Sequence, residues 1–221
     1  MTNGAILARI DHTLLKATAS WEEIKTLCDE AVRYKTATVC IPPSYVKQVH
    51  EEFGGNPVIA IVIGFPLGYS VTASKLMEAR CAIQDGACEI DMVINIGDVK
   101  NGRFDLVLDE IKAIKKECGK NILKVIVETC YLTEDEKIRL CGIVTEAGAD
   151  YIKTSTGFGT AGATLADVRL FKQHIGPDLK IKAAGGVKTR DDLEAFITAG
   201  ADRIGTSSAV KLLAGGIAAG Y

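Results

Sequence analysis

Short β-branched runs alternate with amphipathic stretches along the whole chain, and this alternation limits the fold more than any other feature. The runs are ATVCI (37–41), VIAIVIG (58–64), EIDMVI (89–94), LKVIVE (123–128), YIKTS (151–155), KIKAAGG (180–186) and DRIGTS (202–207), with a shorter one from Ile10 to Leu14. Most read as apolar on both faces, as parallel strands covered by helices require. The segment 20–34 opens with Ser20 and carries Glu23 three residues on, a capping-box signature, with Ile24, Leu27, Cys28, Ala31 and Val32 at helical spacing. Further helices are expected over 71–85, 103–117, 133–147, 164–174 and 189–199. DGACEI, AGADYI and AGADRI repeat one junction, a glycine that closes a helix ahead of a strand. Eight such units in 221 residues predict a closed (β/α)8 TIM barrel, one domain over 1–221 with a flexible tail from about 214. An open doubly wound sheet satisfies the same alternation.

Composition narrows the function classes. The net charge of −2 gives no basic surface for nucleic acid, and no run of about 20 apolar residues offers a membrane span. Seven scattered cysteines without a C-x-x-C pair, and three histidines, argue against a structural metal site and for reduced thiols in the cytoplasm. No cofactor or metal is expected.

Charges inside the strands carry the functional signal. Lys153 and Lys182 lie near the ends of adjacent strands, just before glycine-rich turns, Asp91 shares a strand face with Glu89, and Lys124 lies on the strand between. In a barrel, functional residues gather at the C-terminal strand ends. A lone strand lysine is more simply explained by an outward-turned head or a carboxylate partner. Two on neighbouring strands point to chemistry: like charges and burial both favour the neutral amine, a nucleophile that forms a Schiff base with aldehydes and ketones. Asp91, with Lys182 as partner, is the candidate for moving protons, and a structural ion pair is the alternative.

The last two strands suggest a phosphate end. Gly185 and Gly186 let backbone N–H groups approach an anion, Ser207 and Ser208 stand at a helix start, and Gly157 with Gly159 could extend the cradle. Spacing does not match a nucleotide loop. Cys40 reads as a small buried hydrophobe with a reactive thiol as alternative. His12, near the end of the first strand, is a pocket candidate without a visible partner, His50 and His174 read as helix-surface residues, and Glu128 is a lesser candidate.

YIKTSTGF, EIDMVINIG, IKAAGGV, RIGTSS and IDHTLL together resemble the deoxyribose-phosphate aldolases, over essentially the whole chain. The resemblance implies reversible cleavage of 2-deoxy-D-ribose 5-phosphate to acetaldehyde and D-glyceraldehyde 3-phosphate. By residue match it implies Lys153 as the Schiff-base lysine, Lys182 as the lysine that perturbs it, and Asp91 as the proton relay. Gly157, Gly185, Gly186, Ser207 and Ser208 match the phosphate set, and Thr13 and Thr156 match polar residues facing the substrate. Phe158 stands where some members carry a lysine, and Tyr221 where some place a tyrosine over the site. The expected partners are small phosphorylated sugars and aldehydes, with a homodimer open. An isomerase with a carboxylate base, and a binding protein without chemistry, compete with this reading.

Overall fold

The computed structural model describes residues 1–214, so most of the expected tail, and Tyr221, lie outside the described residues. The chain enters through α1 (Asn3–Leu7) and β1 (Ile10–Thr13), then runs α2 (Trp21–Tyr34), β2 (Thr38–Ile41), α3 (Val46–Phe53), β3 (Ile59–Ile63), α4 (Thr72–Asp85) and β4 (Glu89–Val93). It continues through α5 (Ile96–Lys100), α6 (Phe104–Cys118), β5 (Ile122–Ile126), α7 (Glu134–Glu146), β6 (Tyr151–Lys153), α8 (Leu165–His174), β7 (Lys180–Ala184), α9 (Arg190–Ala199), β8 (Arg203–Thr206) and α10 (Ala209–Leu213). All neighbouring strands pair in parallel, and β1 pairs with both β2 and β8. The sheet is therefore a closed eight-stranded (β/α)8 barrel, not the open sheet that the alternation also permitted.

The period of two along each strand decides where the core lies. Ile10, Val39, Ile59, Ile61, Ile90, Leu123, Val125, Ile152, Ile181 and Ile204 point outward and pack on the helices as one apolar cluster. Opposite faces of the same strands carry Asp11, Glu89, Asp91, Lys124, Lys153 and Lys182, all buried. The expectation of strands apolar on both faces is thus corrected: the hydrophobic core is a ring around the barrel, and much of the barrel interior is ionic. A smaller inward group, Leu15, Cys40, Ala60 and Val62, lines the side formed by β2 and β3.

The helices are built from local signals. Ser20 accepts from the Glu23 N–H while the Glu23 carboxylate accepts from the Ser20 N–H, so α2 has its capping box. Thr133 with Glu136, and Thr189 with Asp192, cap α7 and α9 in the same way. The helices α1 and α5 have five residues each, and α3 has eight. Among the described residues no helix is long and apolar enough to cross a membrane.

Replacing Ser20 by Ala removes one half of the α2 capping box and should cost about 1 kcal/mol of stability. Urea unfolding measures it, and an unchanged midpoint refutes the assignment of that cap.

Candidate active site

Strand register assembles the inner charges. Asp91 lies opposite Lys124 across the β4–β5 pair, and Lys153 lies opposite Lys182 across the β6–β7 pair. Beyond the last residue of β6 the chain stays anchored: the Thr154 N–H donates to the Lys182 carbonyl at 3.0 Å, and the Ala184 N–H donates to Thr154 Oγ1 at 3.1 Å. Lys153 therefore enters the barrel from a backbone fixed on both sides. Opposite the stem of Lys182, Gly205 leaves the needed space: a Cβ there would sit 3.1 Å from Lys182 Cε.

Asp91 stands at the centre. Its Oδ2 accepts from Lys153 Nζ at 2.7 Å and from Lys182 Nζ at 2.6 Å, and its Oδ1 accepts from Lys124 Nζ at 2.7 Å. Lys182 also pairs with Asp11. Lys124 reaches Glu89 at 2.6 Å. Arg203, at the start of β8, completes the base of the network by donating to Asp11 Oδ1 at 2.6 Å and lying 3.3 Å from Glu89. Four bases thus share three carboxylates, and with every group ionised the cluster holds one surplus positive charge.

That surplus falls on Lys153. Burial pushes its amine below the usual lysine range, Asp91 opposes this, Lys182 adds to the lowering, and the net direction is down. Burial works against the charge of Lys182 as well, but Asp11 and Asp91 together hold it well above the usual range. Lys124 is likewise raised, its burial outweighed by Asp91 and Asp11. Burial would raise Asp91, yet Lys124, Lys153 and Lys182 hold its carboxyl well below the usual range. Lys153, alone of the three inner lysines, is driven toward the neutral form. Burial and the neighbouring Lys182 both lower Lys153, in the direction expected for two close amines, and Asp91 stands between them. Lys182 is the stabilised cation, held by Asp11, a residue the sequence reading did not select.

The glycine loops close over one side of the mouth. Gly157, Gly185 and Gly186 all have left-handed φ values, of 87°, 72° and 78°. A Cβ on Gly185 would lie 3.1 Å from the Cα of Gly162 and 3.6 Å from that of Gly157, so the loops after β6 and β7 meet backbone to backbone. Ser208 precedes α10 and is buried, and its N–H donates to Thr206 Oγ1 at 3.1 Å. Ser207, beside it, borders a cavity of about 340 Å³ with His12, Thr13 and Glu30. Thr13 is buried, and its hydroxyl donates to the Asp11 carbonyl at 2.8 Å. His12 points away from the barrel axis and meets Glu30 at 2.7 Å.

Thr156 is tied to Glu128. The carboxylate accepts from the Thr156 N–H at 3.2 Å and pairs with its hydroxyl. Glu128 adopts a left-handed backbone, φ 56°. Phe158, with its N–H bonded to Thr156 Oγ1 at 3.0 Å, meets Phe65 edge to face with ring centroids 5.2 Å apart. Cys40 is fully buried, and burial raises its thiol.

Closed barrel, buried amines and glycine loops that meet backbone to backbone define the class: a (β/α)8 barrel enzyme. A sequence profile described as DeoC/LacD family aldolase matches residues 5–220. The chain is 60% identical over 221 residues to a deoxyribose-phosphate aldolase of Clostridium botulinum, covering all of both chains. It is 61% identical over 208 residues to one of Clostridioides difficile, covering 94% of this chain and 95% of that one. A solved structure, described as a tetrameric deoxyribose phosphate aldolase from Aeropyrum pernix, superposes with a TM-score of 0.89 at 33% identity, covering 96% of this chain and 91% of that one. The chain belongs to the DeoC/LacD family of aldolases and is a carbon–carbon lyase.

Two outcomes test the site geometry. Asp91 and Asp11 are held below their unfolded values, so the stability they contribute is present above the ordinary carboxylate range and is lost as pH falls below about 4. Urea midpoints should therefore drop steeply on acidification in the wild type and less steeply for Asp91→Asn; equal slopes refute the pairing. Gly162→Ala would put a Cβ 2.5 Å from the Gly185 carbonyl carbon, and turnover should fall at least about tenfold as the two loops are forced apart. Unchanged kcat/KM would show that the loop contact does not matter.

Proposed function

We propose that the chain is a single-domain, cytoplasmic class I aldolase that reversibly cleaves 2-deoxy-D-ribose 5-phosphate to acetaldehyde and D-glyceraldehyde 3-phosphate through a Schiff base on Lys153. The observation that carries the reading is the buried Lys153 amine, driven toward neutrality while bonded to an ionised Asp91. A neutral amine attacks the C1 carbonyl of the open-chain sugar, and loss of water leaves an iminium ion. A base removes the proton of the 3-hydroxyl, the C2–C3 bond breaks, and its electron pair moves into the C1–C2 bond as the iminium becomes an enamine. Glyceraldehyde 3-phosphate leaves. Protonation of the enamine at C2 and hydrolysis of the new iminium release acetaldehyde and restore the amine.

Asp91 and Lys182 suit the proton transfers. Both amines donate to one oxygen of Asp91, so a proton can pass between them through a shared carboxylate with little movement. Lys182 stays cationic beside the reacting amine and favours its neutral form. The glycine turns at Gly157, Gly185 and Gly186, with Ser207 and Ser208, would receive the phosphate. Thr13 and Thr156 would stand beside the sugar. Since Phe158 brings no cation, backbone N–H groups and hydroxyls would carry the phosphate interaction.

Incubation with acetaldehyde and borohydride should add an ethyl group at Lys153, and Lys153→Leu should lose both the adduct and at least about 10³-fold of kcat. Turnover by Lys153→Leu at the wild-type rate would sink the reading. The sign of the pH effect also follows: a lowered amine pKa keeps Lys153 reactive at neutral pH, and activity should fall as acidification protonates it.

A further inference from the structure

The ion cluster contains charged groups that no step of this chemistry uses, and Arg203 is the one that cannot give up its charge. Arg203 enters from the base of β8, 12% exposed, with its guanidinium on Asp11 and within 3.4 Å of both Glu89 oxygens. Tyr151 stacks against it, 5.5 Å from ring centroid to guanidinium carbon. The residue is thus held from two directions and bonded to two of the three carboxylates that the lysines share.

We propose that Arg203 is a positioning residue for the Lys153 amine: its fixed charge occupies Asp11 and Glu89, leaving too little carboxylate charge for three protonated lysines. Arginine does not release a proton in proteins, so it cannot relieve the surplus itself. Lys124 lies against Asp91 and Glu89, and Lys182 against Asp11 and Asp91. Each of these lysines has two close carboxylates, whereas Lys153 has one. The proton is released where the support is weakest.

Other groups around Lys153 do not reverse this balance. From β2, the buried Cys40 thiol favours the charged amine, as Asp91 does, and is outweighed. No ionisable side chain comes from the inner face of β3, which presents Ala60 and Val62. Beyond β5, Glu128 turns its carboxylate to Thr156. On β6 itself, Tyr151 faces Arg203 and Lys180.

The inference rests on Lys153 being the reacting amine, and the test separates the two. The pH dependence of kcat/KM and, independently, of Lys153 acetylation by acetic anhydride are measured for the wild type and four variants; the second readout needs no aldolase chemistry. Arg203→Gln removes a positive charge, stabilises protonated Lys153 and should move both acid limbs upward by about one pH unit. Glu89→Gln removes a negative charge and should move them downward. The double variant should return them toward the wild-type position. Arg203→Lys keeps the charge while losing the fork and much of the stacking, and its limbs should stay within about 0.3 pH unit of the wild type.

Acid limbs that ignore Arg203→Gln, or that move as far for Arg203→Lys, overturn the inference and assign Arg203 to structure alone. If Arg203→Gln fails to fold, the Glu89→Gln shift and its reversal in the double variant still decide. Absence of any borohydride adduct at Lys153 in the wild type would instead overturn the aldolase reading, while the acetylation profiles would still report on Arg203.

Discussion

One carboxylate oxygen, Oδ2 of Asp91, accepts from two lysines on adjacent strands, and the ion network of the barrel interior is organised around it. Burying a lone charge is costly, and removing one partner from a buried pair leaves an uncompensated ion worth about 3–5 kcal/mol. The cluster meets this by sharing: each carboxylate serves more than one cation, each cation except Lys153 has more than one carboxylate. Parallel register makes the sharing possible, since closure of the barrel brings side chains from β1, β4, β5, β6, β7 and β8 to one axis.

Such an interior contributes charge arrangement more than stability. Cohesion comes from the apolar ring where outward strand faces meet the helices. Separation of the two by the strand period lets the same short segments do both jobs: every second residue packs, and the alternate ones are free to carry ions. Small inward residues on β2 and β3 leave one side of the axis apolar, while the glycine loops after β6 and β7 occupy another.

Much of this could be read from the residues. Lysines in otherwise apolar runs, just ahead of glycines, identify Lys153 and Lys182 because nothing in ordinary packing requires them there. Asp91 follows from the same reasoning. Asp11 and Arg203 were missed, since a charge at the edge of a short strand looks like a residue facing water. Only barrel closure, which pairs β1 with β8, places them inside. Strand parity offered a signal for Asp11, which shares a face with Thr13. The short helices α1 and α5 span little more than one turn, too few residues for a helical period to show. Lys182 reads from the residues as a neighbouring charge and a partner of Asp91; its second carboxylate partner, Asp11 of β1, is invisible until the chain is folded.

Glu128 has a further consequence. Its left-handed backbone aims a carboxylate across to the rim beyond β6, where it holds both the amide and the hydroxyl of Thr156. That rim is fastened before any guest arrives. Affinity that a looser segment would spend on becoming ordered therefore remains available for recognition, and the local strain of an uncommon torsion secures a preorganised doorway.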